Sequence, residues 1–411
     1  MTSQLSFTLA DPQLYLDPHA TLRQMRTACP VFFDEQLDSW VITRYDDVVA
    51  CLKDPRMYVV EECKRIDVLP PAQQAELAPL RRIFNEWGGR SVPHDHDVFL
   101  RVVKKHFTPR RVAGQLGVIQ RLMDGLVDVA LRRGGPVDVV NDLAHPLAMS
   151  VVCDLLGAPA DPSEVARLLR ASNAVSGLLE MGELEQLQRS QDGMLDIVDY
   201  LRPHVSAARA GSGSGLLAVL AGPDAARLDY DDDQIAAQGI MFVVVGYHTT
   251  ANLLANGLRL LFDHPEQRRA LVQRDFADLP NAFDEMMRFH GPVSTIRRVA
   301  LTDVVMRGCR IAEGDTVVLA LLAANRDPAV FPRPDDFWVG RPNANRQVGF
   351  TVGPYSCMGQ ALARLEGQVF FTTLLTRFPR MVPADPQPDW MVFRPLGREL
   401  RTLRVLLDGR P

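Results

Sequence analysis

Apolar side chains recur every three or four residues through most of this chain and alternate with polar ones only in short runs, which predicts a mainly α protein with small β-sheets. The helical spacing occupies residues 17–29, 45–53 and 96–107 and continues, with breaks, from 111 to 209. Between the first two helices, residues 31–33 and 40–43 flank a turn at 34–39 and predict a hairpin. Residues 54–95 read as irregular, punctuated by Pro70-Pro71, Gly88-Gly89 and Pro93, and a loop of that length in a compact chain usually carries function. A Gly-Ser-Gly-Ser-Gly link at 211–215 precedes the longest helical pattern, 231–264, which opens on three aspartates as its dipole favours. Its middle, Phe242-Val243-Val244-Val245-Gly246-Tyr247-His248-Thr249-Thr250, has poor helix propensity, so packing from outside must compensate. A helix at 281–289 and strands at 295–300, 304–311 and 316–321 follow, and the chain shows no internal repeat.

At 411 residues the length alone suggests two or three domains, although a single large domain spanning residues 1–411 also fits, and the apolar fraction is ordinary for a soluble protein with a large core. A net charge of −5 gives no reason to expect nucleic acid or an anionic membrane as a partner. Cys29, Cys51, Cys63, Cys153, Cys309 and Cys357 are scattered without a Cys-x-x-Cys pair, which points to a reducing compartment and away from structural zinc. The first residues lack the basic start and long apolar core of a signal peptide, and the longest apolar run, 240–245, is too short to cross a bilayer. A cytoplasmic location without a membrane anchor is therefore expected.

One stretch carries specific chemistry. Residues 349–359 read Gly-Phe-Thr-Val-Gly-Pro-Tyr-Ser-Cys-Met-Gly and run into a helical pattern that starts at Gln360. Gly353 and Gly359 let the backbone turn tightly around Cys357, and the positive end of the helix that follows favours a thiolate. Such a loop suits a metal-ligating sulfur, with Phe350 placed to shield it from water; the alternative is one more buried structural cysteine.

Phe350-x-x-Gly353-x-x-x-Cys357-x-Gly359, followed by Leu362-Ala363-Arg364-x-Glu366, resembles the haem-binding signature of the cytochrome P450 family. The resemblance implies the cytochrome P450 fold, with a long distal helix over haem b (iron protoporphyrin IX) and Cys357 as the iron ligand. Gly246 and Thr249 match the positions where the family leaves room for dioxygen and handles protons, and His248 takes the place of the family's acid. His248 is either a proton relay or a side chain turned into a neighbouring helix. Glu285 and Arg288 match the family's Glu-x-x-Arg and, with Arg341, would complete a buried ionic network; taken alone, residues three apart could form an ordinary local pair.

Arg298 and His96 match residues that meet the haem propionates, whereas Tyr355 stands where the family has His or Arg and offers a hydroxyl in place of a charge, a weaker anchor. Leu100 occupies a position where the family has a propionate-binding Arg. Phe84, Trp87, Phe242, Val245, Val293, Ile296 and Phe393 are candidate pocket residues, although Phe84 and Trp87 could equally pack on a local core. Thr295 and the 391–394 stretch belong with them by position, and Leu178, Leu179 and Met181 fall where a mobile lid occurs.

Arg101, Lys104, Lys105, Arg110 and Arg111 are either a docking face for an acidic electron donor or a solvated helix face. The expected function is that of a monooxygenase acting on a small organic substrate with dioxygen, possible within secondary metabolism, fed by a ferredoxin or flavodoxin-type donor and its reductase. Two rival readings are a haem-thiolate enzyme of atypical reaction (peroxide use, aromatic coupling, nitration or rearrangement) and a haem-binding scaffold without turnover.

Overall fold

The structure is a computed structural model that describes residues 7–11, 14, 17–59, 64–89, 93–176, 184–393 and 397–408. Leu178, Leu179, Met181 and Arg394 lie outside the described residues, as do the side chains of His96 and Phe393. The principal helices, in chain order, are α1 (Pro18–Ala28), α2 (Tyr45–Lys53), α3 (Ala78–Asn85), α4 (Pro93–Val103), α5 (Leu116–Arg133), α6 (His145–Leu156), α7 (Pro162–Ser176), α8 (Leu184–Arg209), α9 (Asp232–Asp263), α10 (Leu279–His290) and α11 (Gln360–Arg377). The strands are β1 (Val31–Asp34), β2 (Ser39–Ile42), β3 (Met57–Tyr58), β4 (Val137–Asp138), β5 (Thr295–Ala300), β6 (Val304–Met306), β7 (Cys309–Ile311), β8 (Thr316–Ala320), β9 (Val382–Pro383), β10 (Asp389–Phe393), β11 (Gly397–Thr402) and β12 (Arg404–Leu406).

Contacts group the chain into two compact units. The first comprises Met1–Val60, Leu253–Cys357 and Asp385–Leu403, and the second Glu61–Asn252, Met358–Ala384 and Arg404–Pro411.

The first unit is built on a mixed sheet of strand order β1-β2-β8-β5-β3, in which only β2 and β8 run parallel. The expected hairpin is present as β1 and β2, paired from Val31↔Ile42 to Asp34↔Ser39. Along β8, Val317 and Leu319 join one apolar cluster with Ile42, Met57 and Phe331, while Val318 and Ala320 join another with Met25 and Val41. Both faces of the central strand are thus covered, which is why its sequence is apolar without alternation.

In the second unit, helix starts are specified by side chains. Asp161 Oδ1 accepts from the Ser163 and Glu164 amides at the head of α7, and Glu164 Oε2 accepts from the Asp161 amide. Asp231 and Gln234 form the same reciprocal cap at the head of α9. Val243, Val244 and Tyr247 in the middle of α9 are buried, and this burial compensates for the weak intrinsic helix propensity there.

The irregular reading of 54–95 is corrected: the region holds β3, short helices Lys64–Asp67 and Pro71–Glu76, α3 and the start of α4. Proline misled the reading, because Pro71 and Pro93 each open a helix, where a missing amide hydrogen costs nothing. A helical stretch at Val139–Leu156 is long and apolar enough to cross a membrane by length and composition, and 61% of it is buried inside the structure. A run of unbroken apolar residues did not reveal it.

Glu366 in α11 is 1% exposed, and its Oε2 has no hydrogen-bond partner among the described residues. Burial holds its carboxyl well above the ordinary value near 4.5, so the folded chain keeps a proton that the unfolded chain releases. Stability from this group is complete below that ordinary value and falls as pH rises toward the folded value, by about 1.4 kcal/mol for each pH unit within the window. Glu366→Gln is expected to match the wild type in thermal unfolding near pH 5 and to exceed it increasingly by pH 8; equal midpoints at both pH values would contradict this.

Candidate active site

In the first unit, the loop before α11 is fixed by its own backbone. The Cys357 amide donates to Phe350 O at 2.9 Å, the Ser356 amide to Gly353 O at 3.2 Å, and the Thr351 amide to Val348 O at 2.9 Å. Gly353 has φ +86°, and a Cβ there would lie 2.5 Å from Leu52 O on α2, so no other residue fits. Gly359 differs from expectation: with φ −77° and ψ −1° it adopts helical angles open to any residue. Thr351 is left-handed at φ +57°, and its hydroxyl donates to Tyr355 O at 3.0 Å. The Cys357 thiol is exposed, whereas the Phe350 side chain is buried. Cys51 shows the contrast with an inert cysteine, its thiol pushed up to about 12 by burial.

The loop is braced by α10. Glu285 and Arg288 are fully buried, with Glu285 Oε2 accepting from Arg288 Nε at 2.7 Å and both carboxylate oxygens accepting from Arg341 Nε at 3.0 Å. The ordinary surface pair is thereby excluded. Remaining guanidinium hydrogens go to carbonyls: Arg288 Nη1 donates to Asn325 O and Pro334 O, and Arg341 Nη1 to Pro332 O. Asn325 carries the brace onward, because its Oδ1 accepts from the Val348 amide at 2.8 Å. Gln347 adds a second tie, donating to Asp284 Oδ1 and accepting from the Gly349 amide.

Arg298, on β5, is 4% exposed; its Nη1 donates to Arg297 O at 2.8 Å and its guanidinium lies 5.5 Å over the Tyr355 ring. Val293 and Ile296 are half-buried against the first unit's core, and Thr295 is buried.

In the second unit, α9 separates two faces. Val245 is 51% exposed although it lies mid-helix, and Thr249, one turn on, donates its hydroxyl to Val245 O at 3.1 Å. Phe242 is buried beside Phe99 and Phe107, with ring centroids 6.3 and 5.9 Å away. Gly246 faces α6. A Cβ there would meet Val152 Cγ2 of α6 at 2.8 Å, so its small size serves helix packing. His248 is 6% exposed and packs with His145 of α6 and Tyr247, at ring centroids 6.1 and 5.6 Å. Its ring thus lies against α6. Tyr247 itself donates to Asn173 Oδ1 at 2.6 Å.

Phe84 and Trp87 are buried with ring centroids 5.0 Å apart, as the local-core alternative holds. Leu100 is buried and Arg101 exposed, as are Lys104, Lys105, Arg110 and Arg111, with Lys105 paired to Asp224 at 3.3 Å. Sequence reasoning missed Tyr58, Val152, His145 and Asn325. Only the contacts of the folded chain reveal them, since none belongs to a motif.

A family profile described as Cytochrome P450 matches residues 213–395. The chain is 33% identical over 400 residues to 6-deoxyerythronolide B hydroxylase of Saccharopolyspora erythraea, covering 95% of each. Among solved structures it resembles CalO2, with a TM-score of 0.87, 28% identity and coverage of 98% of this chain and 100% of that one. It also resembles P450BioI, solved in complex with hexadec-9Z-enoic acid ligated acyl carrier protein, with a TM-score of 0.85, 26% identity and coverage of 96% and 100%. The chain belongs to the cytochrome P450 family. It is a monooxygenase, an oxidoreductase of a family that works with a haem held through a thiolate.

The residues present suit that group. The first unit offers an exposed thiol on a backbone-fixed loop for the iron, and a buried guanidinium, stacked on a residue of the same loop, for a carboxylate.

Proposed function

We propose that residues 1–411 act as one cytochrome P450 domain in which the Cys357 thiolate ligates the iron of haem b. The observation that carries this reading is the exposed Cys357 thiol on a loop tied down by the Phe350 carbonyl and the Gly353 turn. When bound, the haem supplies dioxygen activation and the insertion of one oxygen atom into substrate. Arg298 holds a carboxylate arm of the group, with Tyr355 beside it; His96 is a candidate by the family pattern alone. Phe350 and Gly359 border the ligand loop.

Thr249 is the proton-handling residue. Its hydroxyl, held by Val245 O, keeps lone pairs to accept from a water on the Val245 side of α9. Gly246 seats α9 against Val152, and His248, packed with His145 and Tyr247, is left out of the proton path. By the family match, Phe242 and Val245 of the second unit and Val293 and Ile296 of the first are substrate-pocket candidates, and Phe393 is one by position alone.

The likeness to 6-deoxyerythronolide B hydroxylase supports a small organic substrate of secondary metabolism. Electrons come from a ferredoxin or flavodoxin-type protein with its reductase. The exposed basic residues between Arg101 and Arg111 support an acidic donor, since complementary charge speeds encounter. A cytoplasmic setting fits the scattered cysteines, and the net charge of −5 gives no support for nucleic acid or membrane partners.

The test is the spectrum of the reduced, carbon monoxide-treated protein, which should show the Soret band diagnostic of thiolate ligation, and Cys357→Ser should abolish both band and turnover. A serine variant with intact activity would overturn the assignment. Product formation with donor proteins and NAD(P)H, compared with peroxide alone, separates oxygen insertion from the atypical reactions.

A further inference from the structure

We propose that Tyr58 and Tyr355 are positioning residues that hold the Arg298 guanidinium in a stack, so that a carboxylate arm of the haem is gripped by an oriented cation. This rests on the haem-thiolate reading above. The stack replaces the charged side chain that the family pattern places at 355.

Three elements of the first unit converge on it. β3 pairs with β5 so that Tyr58 lies opposite Val299, next to Arg298 along the strand. Tyr58 is 5% exposed and meets Tyr355 in a T-shaped contact, with centroids 5.7 Å apart and planes at 79°. On the same ring of Tyr355, the Arg298 guanidinium sits 5.5 Å from the centroid. Order along the contacts is therefore Tyr58, Tyr355, Arg298.

The Tyr355 backbone is itself held, because Thr351 in its left-handed conformation donates to the Tyr355 carbonyl. Gly353 presses the loop against Leu52 on α2, the helix that leads directly into β3. The thiolate loop and the strand bearing Tyr58 are thus locked to each other, and Cys357 lies two residues beyond Tyr355.

A guanidinium is weakly hydrated, planar and suited to an aromatic face on one side and a carboxylate at its edge. Burial strengthens the attraction between cation and ring. Tyr58 has no charge and reaches no carboxylate in this scheme. Its part is to fix the tilt of the Tyr355 ring, and through it the direction in which Arg298 offers its hydrogens.

The experiment measures the rate at which the ferric holoprotein surrenders haem to excess apomyoglobin. Wild type is compared with Tyr58→Phe, Tyr58→Met, Tyr355→Phe and Tyr355→Met. Rings alone are needed for the stack, so both phenylalanine variants should release haem within about twofold of wild type, and both methionine variants about five- to thirtyfold faster, the span of a buried cation–ring contact. The double methionine variant should be no worse than the poorer single one, since both act on the same guanidinium.

If Tyr355→Phe releases haem as fast as Tyr355→Met, the hydroxyl acts directly and the stack is refuted. Methionine variants that retain haem like wild type refute it as well. Should those variants fail to fold, Arg298→Lys keeps the charge without the planar face and must show the faster release. Failure of the underlying reading looks different: wild type itself would then lack the thiolate band with carbon monoxide.

Discussion

Glu285→Gln is expected to lower the unfolding free energy by about 3–5 kcal/mol, which is a large share of a typical domain's stability. The glutamate is fully buried and is shared by Arg288 and Arg341 at 2.7 to 3.0 Å, so removing its charge leaves two buried guanidinium groups to repel each other. Carbonyls of Asn325, Pro332, Pro334 and Asp336 solvate these cations but carry no net charge. The damage also travels: Asn325 links Arg288 to the Val348 amide, and thus to the loop that carries Cys357. Denaturant unfolding of the variant should show the drop, with haem loading falling alongside. A midpoint unchanged from wild type would mean that the network contributes nothing net.

Thr249→Val is expected to keep the fold and the haem while product formed per NAD(P)H falls about tenfold or more, with hydrogen peroxide released in its place. Positioned proton donors contribute roughly 10²–10⁴-fold, and valine conserves shape while removing the hydroxyl that could orient a water there. Thr249 is half-buried, and its hydroxyl donates to the carbonyl one turn below, so little stability should be lost. His248→Asn is the control. Its ring faces His145 and Tyr247, so coupling should change less than twofold, the ordinary scatter of a packing substitution. Equal coupling in wild type and Thr249→Val would remove Thr249 from the proton path.

The elements legible in the sequence were those with long periods or rigid spacing. The 32-residue helix α9 and the hairpin β1–β2 were placed within a residue or two because periodicity and caps act locally, and the Glu285–Arg288 pair through its likeness to the family's Glu-x-x-Arg. Residues 54–95 failed for the opposite reason: their helices are short and start on proline, which reads as a loop signal. Directions around a helix were also beyond reach. Whether Gly246 faces a neighbouring helix or open space depends on where Val152 comes to rest, some ninety residues earlier in the chain. Tyr355 looked like a weakened anchor because the ring it offers gains meaning only from Tyr58 and Arg298 on paired strands.

The mixed sheet of the first unit sets an order on biosynthesis. β2 finds its parallel neighbour only in β8, and β3 finds β5 only from residue 295 onward. While the ribosome is still extending the chain, the N-terminal hairpin therefore waits with an open strand edge, able to pair with the same segment of another nascent copy. Chaperone dependence during overexpression, and inclusion bodies when translation outruns it, are the expected outcome of a sheet closed by its last-made strands.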